Sequence, residues 1–292
     1  MKKLICLLLS SLLILACFCG CGSKNAEAAV SAAEVVLPEW TENLSDAGKA
    51  AVSEIVAKGK LVMGTSADYA PFEFHTKLDG ADTIVGYDVS WGQYLADSFG
   101  VELEIVDMSF DNLLISVGKG DFDVVLASMS ETPERAQAAD FSVPYHGGDA
   151  VKKVIVIRSE SLDNYPDLAS FAGVKVAAQS GSTLVPAANE IAGEENVILL
   201  TKLQDAISEL KAGKIEAVFC DGDVGFGYEE NNDDLICLDY NIPVEEEGAS
   251  VVMKKGSDGL KEAIDYLIGL INSEQKDTWM NEAQILAGNI EE

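Results

Sequence analysis

Phe110-Asp-Asn-Leu-Leu-Ile-Ser-Val-Gly-Lys-Gly-Asp-Phe-Asp-Val-Val-Leu-Ala127 decides the architecture, because the chain repeats its pattern. The second copy, Leu203-Gln-Asp-Ala-Ile-Ser-Glu-Leu-Lys-Ala-Gly-Lys-Ile-Glu-Ala-Val-Phe-Cys220, aligns without a gap at an offset of 93 residues. Leu203, Ala206, Ile207 and Leu210 recur at i, i+3, i+4 and i+7, the spacing of one helix face. In both copies a glycine turn follows, then a short apolar run with β-branched residues. Helices over 110–117 and 203–211 and strands over 122–127 and 215–220 are expected. A helix feeding a buried strand is the unit of a largely parallel α/β sheet, and two copies predict two related lobes. The offset carries Ser128 onto Asp221. Each then stands just past the C-terminal end of a strand, where open α/β sheets place their ligands.

The flanking sequence extends this alternation. Residues 39–58 read as a helix stopped by Gly59, 60–64 as a strand, 86–100 as a helix burying Trp91 and Phe99, and 101–106 as a strand. A second series follows, with strand 153–158, strand 174–178, helix 185–192 and strand 197–200. Strand 249–253, helix 260–271 and a helical segment to Leu286 close the chain; lacking a lobe of their own, they are expected to rejoin the first.

Composition bounds the function. The 292 residues are 48% hydrophobic and 24% charged, enough for two lobes with proper cores. With 49 acidic against 20 basic residues the formal charge is −29, which excludes nucleic acid as a partner. Lys2-Lys3 precede an apolar run to Phe18 and then Cys19-Gly-Cys-Gly-Ser23, the pattern of an export signal. It is similar to a lipoprotein signal. Ile14-Leu15-Ala16 before Cys17 fits the lipobox better, and Gly-Ser after Cys21 is the commoner mature start, so lipidation falls on Cys17 or Cys21. The expected divisions are a signal over 1–20, a tether over 21–38, lobe one over 39–148, lobe two over 149–243 and a return to lobe one over 244–292. Cys220 and Cys237 lie in apolar runs and are compatible with a disulfide or with two free thiols.

The loop after the first repeat carries the chemistry. Ser128 and Ser130 supply hydroxyls, and Arg135 follows a Thr132-Pro-Glu helix start. A planar guanidinium pairs bidentately with a carboxylate, and a helix N-terminus adds unpaired N–H groups, so this loop suits a carboxylate.

Five motifs together resemble family 3 of the extracellular solute-binding proteins, the amino-acid receptors of ABC importers. They are Gly64-Thr-Ser-Ala-Asp-Tyr-Ala-Pro-Phe-Glu-Phe74, Val85-Gly-Tyr-Asp-Val89, Thr132-Pro-Glu-Arg135, Asp140-Phe-Ser-Val-Pro-Tyr145 and Gln179-Ser-Gly-Ser-Thr183. The resemblance implies an α/β type II periplasmic-binding-protein fold, two lobes joined by a two-strand hinge. It implies that Arg135 clamps a ligand α-carboxylate with help from Ser182 and Thr183, and that Asp221 receives the α-ammonium beside Ser128, Met129 and Ser130. Tyr69 and Phe110 would form the shelf for the ligand side chain. Gln179 stands where some relatives carry lysine. Ser66 stands where several cationic amino-acid receptors carry aspartate, a role open to Asp68 if it turns inward. The implied protein is a lipid-anchored, extracytoplasmic monomer that hands a free amino acid to ABC permease subunits, without cofactor, metal or catalysis. The alternatives are an enzyme of cyclohexadienyl dehydratase type, with Glu73 as its acid, and the ligand-binding partner of a sensor.

Overall fold

The computed structural model describes residues 35–147, 152–244 and 248–288. The export signal, Cys17, Cys21, most of the tether and part of each expected hinge crossing lie outside the described residues. A 3-10 turn over Glu39–Asn43 leads into α1, Asp46–Lys58. The single helix expected over 39–58 is therefore divided, because Ser45 is extended and its Oγ accepts from Gly48 N as the cap of α1.

Strand β1 (Lys60–Thr65) leads into β2 (Asp68–Tyr69), β3 (Glu73–Leu78) and β4 (Ala81–Val85), three strands the sequence did not announce. These three make a small antiparallel sheet. Then come α2 (Tyr87–Phe99), β5 (Glu102–Asp107), α3 (Phe110–Lys119), β6 (Val124–Val125) and β7 (Ala139–His146). The second half runs β8 (Lys153–Arg158), β9 (Val176–Gln179), α4 (Leu184–Ala192), β10 (Val197–Leu200), α5 (Leu203–Lys211), β11 (Ala217–Asp221), α6 (Gly222–Asn231) and β12 (Leu235–Leu238). It ends with β13 (Ala249–Lys254), α7 (Asp258–Leu270) and α8 (Ser273–Ala287).

Two five-stranded sheets share one plan. The first has the order β5-β1-β6-β13-β7 and the second β10-β9-β11-β8-β12. In each, the first three strands are parallel and the last two run antiparallel to their neighbours or to each other. The fourth place in each sheet is taken by the strand that follows a passage from the other sheet, β13 or β8. The repeated helices α3 and α5 begin at Phe110 and Leu203 and lead into the central strands β6 and β11.

The elements that sequence did not announce have identifiable causes. Pro144 argues against a strand, yet β7 is an edge strand and Pro144 sits at an irregularity in its pairing with β13. Helix α6 opens with three glycines that read as breakers, but Gly225 is required by packing. A Cβ there would stand 2.4 Å from Val154 Cγ2. Cys220 and Cys237, on strands flanking β8, are free thiols beside the same glycine. The helix expected from Thr132-Pro-Glu is only a 3-10 turn over Arg135–Gln137, capped by Thr132 Oγ1, which accepts from Arg135 N at 3.1 Å.

The largest apolar cluster packs α1, α2 and α7 on the first sheet around Trp91, which is fully buried, and continues through α5 and one side of the second sheet. A second, around Phe171 and Phe219, fills the other side of the second sheet. A third, around Leu113 and Phe141, lies under α3. Among the described residues, no helix is long and apolar enough to cross a membrane.

Candidate functional site

A cleft opens at the C-terminal ends of the central strands of both sheets. Tyr69, Phe110, Ser128, Ser130, Arg135, Gln179, Ser182, Thr183 and Asp221 line it, joined by Ala127 and Leu184. Nine of the ten residues suggested by sequence thus meet at one place. The tenth, Met129, points its side chain into the cluster under α3, and its carbonyl accepts from Ser250 N at 3.0 Å.

The first-sheet wall depends on strained backbone. Ser128 has φ +48, a left-handed conformation uncommon outside glycine. Its N–H donates to Asp88 Oδ2 at 2.7 Å, and the Tyr145 hydroxyl donates to the same oxygen at 2.7 Å. Asp88 reaches this point from the first turn of α2, whose Tyr87 and Asp88 N–H groups donate to the Pro71 and Phe72 carbonyls. That approach needs Gly86: with φ +132, a Cβ would lie 2.1 Å from Phe72 O. Glu73 lies beside Asp88, 1% exposed, and burial, then Asp88 and Asp68, lift its carboxyl well above the ordinary range. Burial also raises Asp88.

Arg135 reaches across the cleft. Its Nη1 donates to Ser130 O at 2.7 Å and its Nη2 to Gly181 O at 2.9 Å, while the guanidinium carbon lies 5.5 Å from the centre of the Phe110 ring. Stacking and two fixed carbonyls hold the planar fork in one orientation. Gly181 has φ +79 and packs against the start of α3, and Ser180 Oγ donates to Asp111 Oδ2 at 3.1 Å. The second-sheet wall follows with Ser182 and Thr183 before α4. Ser182 Oγ is buried without a hydrogen-bond partner, so this hydroxyl is an orphan facing the cleft.

Asp221 ends β11 and caps α6 with φ −67 and ψ 149, without bonding the helix through its side chain. Its carboxylate pairs with Lys153, directly opposite it on β8. Its N–H donates to Tyr69 Oη at 3.2 Å. Sequence reasoning missed Lys153, although a lysine opening a Val/Ile strand signals a buried partner. It also missed the support given by Asp88 and Asp111. Among the described residues, no group of three His, Cys, Asp or Glu is arranged to hold a metal ion.

The two sheets thus border one cleft lined by charged, hydroxyl and aromatic side chains from both. The chain belongs to the bacterial extracellular solute-binding proteins of family 3, whose profile matches residues 61–281. It is 34% identical to the arginine-binding extracellular protein ArtP of Bacillus subtilis over 69% of this chain and 76% of that one. It is similar to an amino acid ABC transporter substrate-binding protein from Streptococcus pneumoniae, solved bound to L-arginine, with TM-score 0.76 and 36% identity over 80% of this chain and 98% of that one. It is also similar to an ancestral amino acid-binding protein described as a precursor of cyclohexadienyl dehydratase, with TM-score 0.69 and 26% identity over 80% of this chain and 96% of that one. The fold is the type II periplasmic-binding-protein fold shared by these structures.

Proposed function

We propose that the chain is the extracytoplasmic receptor of an ABC importer and takes a free α-amino acid with a cationic side chain, arginine foremost, between its two sheets. One observation carries the reading: a guanidinium and a carboxylate, Arg135 and Asp221, line the same cleft from different sheets. A zwitterion answers both, with its carboxylate on Arg135 and its ammonium on Asp221. Ser182 and Thr183 complete the carboxylate site at the start of α4, and the orphan Ser182 hydroxyl gains a partner when ligand arrives. Tyr69 and Phe110 hold the side-chain stem. The preference for a cation is supported by the arginine-binding relatives.

The lobes close by hinge bending about the crossings near 147–154 and 242–249, and ligand favours the closed state because it contacts both walls only there. A lipid on Cys17 or Cys21 tethers the monomer to the outer face of the membrane, supported by the Lys2-Lys3 and apolar leader. The ligand leaves unchanged: the chain binds and does not catalyse.

The test is a thermal-shift panel of the twenty amino acids. Ligand at 100 times its dissociation constant adds about 2.7 kcal/mol of stability, so arginine should raise the melting temperature clearly. No shift with any amino acid overturns the reading, and turnover of prephenate or arogenate would replace it with the enzyme.

A further inference from the structure

Asp68 was the residue open to a cationic ligand side chain if it turned inward. It does turn inward and is 4% exposed, but its oxygens go to protein donors and it does not line the cleft. Ser66 Oγ donates to Oδ1 at 2.8 Å. Leu203 N donates to Oδ2 at 2.6 Å, and Gln179 Nε2 lies 3.5 Å from both oxygens. Ser66 and Asp68 belong to the β1–β2 region of the first half, whereas Leu203 and Gln179 belong to the second.

Leu203 is the first residue of α5. A helix start leaves N–H groups without intrahelical partners and carries partial positive charge, so it is usually capped by a local Ser, Thr, Asp or Asn. Here the cap position is Lys202, extended and making no side-chain bond to the helix. The capping carboxylate comes instead from Asp68, 135 residues earlier, across the cleft. Lys202 adds attraction to the same carboxylate, while burial opposes its charge.

We propose that Asp68 is a closure latch, a positioning residue that caps α5 from the opposite lobe and so holds the closed state without touching the ligand. The latch rests on the receptor reading for its use, but it biases the open-to-closed equilibrium whether or not ligand is present. It separates two tasks: Arg135 and Asp221 recognise the ligand, and Asp68 sets how long the lobes stay shut.

A latch and a ligand contact leave different kinetic marks. Asp68→Asn keeps the shape and removes the charge. Stopped-flow measurements with L-arginine and L-glutamine should show dissociation about tenfold faster for each amino acid that binds, by a common factor, with association within about twofold. Ser66→Ala, which removes only the orienting hydroxyl, should act in the same direction by about threefold. An unchanged dissociation rate overturns the latch, as does a loss confined to L-arginine while L-glutamine is unaffected. Were no amino acid to bind the wild-type protein, the receptor reading alone would fail. The latch is then decided by energy transfer between labels at the exposed Asp121 and Glu195 in ligand-free protein. Asp68→Asn should lower the closed fraction several-fold, and an unchanged fraction overturns it.

Discussion

The units starting at Phe110 and Leu203 share a frame of helix, turn and central strand, and diverge in the residue that follows. After β6 the chain turns into the left-handed Ser128, pinned through its N–H to the buried Asp88, and continues as a loop to Arg135. After β11 it enters α6 at once, with Asp221 as cap and Lys153 on its carboxylate. One frame thus delivers a neutral hydroxyl with a cation downstream, and the other delivers an anion. Under the proposed receptor function this difference would suit an unsymmetrical ligand: the strands place the walls, and the first residues beyond them would set what each wall offers.

The largest break in this asymmetry is Arg135→Ala. Truncating one partner of a charge-assisted pair costs about 2 to 5 kcal/mol, so affinity for arginine should fall at least about 30-fold by calorimetry. An unchanged affinity would remove Arg135 from the clamp. Asp221→Asn should come next. It keeps the hydrogen-bond acceptor and loses the charge, with an expected loss of about 10- to 100-fold, and acyclic carboxylates lacking the ammonium should lose less than arginine.

Glu73→Gln sharpens the comparison from below, since Glu73 and Asp88 support only the Ser128 side. The folded Glu73 carboxyl titrates well above its unfolded value because of burial. Its contribution to stability is therefore present below the unfolded carboxyl range and lost as pH rises through the folded value. The glutamine variant lacks that loss. Its melting temperature relative to wild type should be higher by about 3 °C at pH 8 than at pH 4, read by calorimetry. The smallest effect is expected from Ser182→Ala. Removing one hydroxyl's hydrogen bond to the ligand carboxylate, worth about 1.5 kcal/mol, should weaken binding about tenfold, while the ligand-free protein, relieved of an orphan hydroxyl, should be no less stable.

Much of the fold and cleft was legible because both rest on local signals. Helix periodicity, the Gly59 and Gly100 stops and the repeat itself mark the elements that build the two sheets, and nine of the cleft residues sit in motifs at their ends. What was not legible depends on contacts distant in sequence. Pro144 is tolerated because β7 is an edge, the glycines opening α6 because Val154 lies against Gly225, and the broken helix before Gly59 turns on a single cap at Ser45. The roles of Lys153 and Asp68 depend on partners 68 and 135 residues away, which no spacing rule announces.

The placement of the three tryptophans has a practical consequence for spectroscopy. Trp91 packs edge-on to Trp279 of α8 with ring centres 5.2 Å apart, and Trp40 stacks on Tyr266 at 5.8 Å. None lines the cleft, whose aromatic faces are Tyr69 and Phe110. Intrinsic tryptophan emission therefore comes from the helical backing of the first sheet. A titration followed by that signal would register the seating of α8 and of the Glu39–Asn43 turn on their neighbours, and occupancy of the cleft needs a fluorophore placed near Tyr69 to be seen directly.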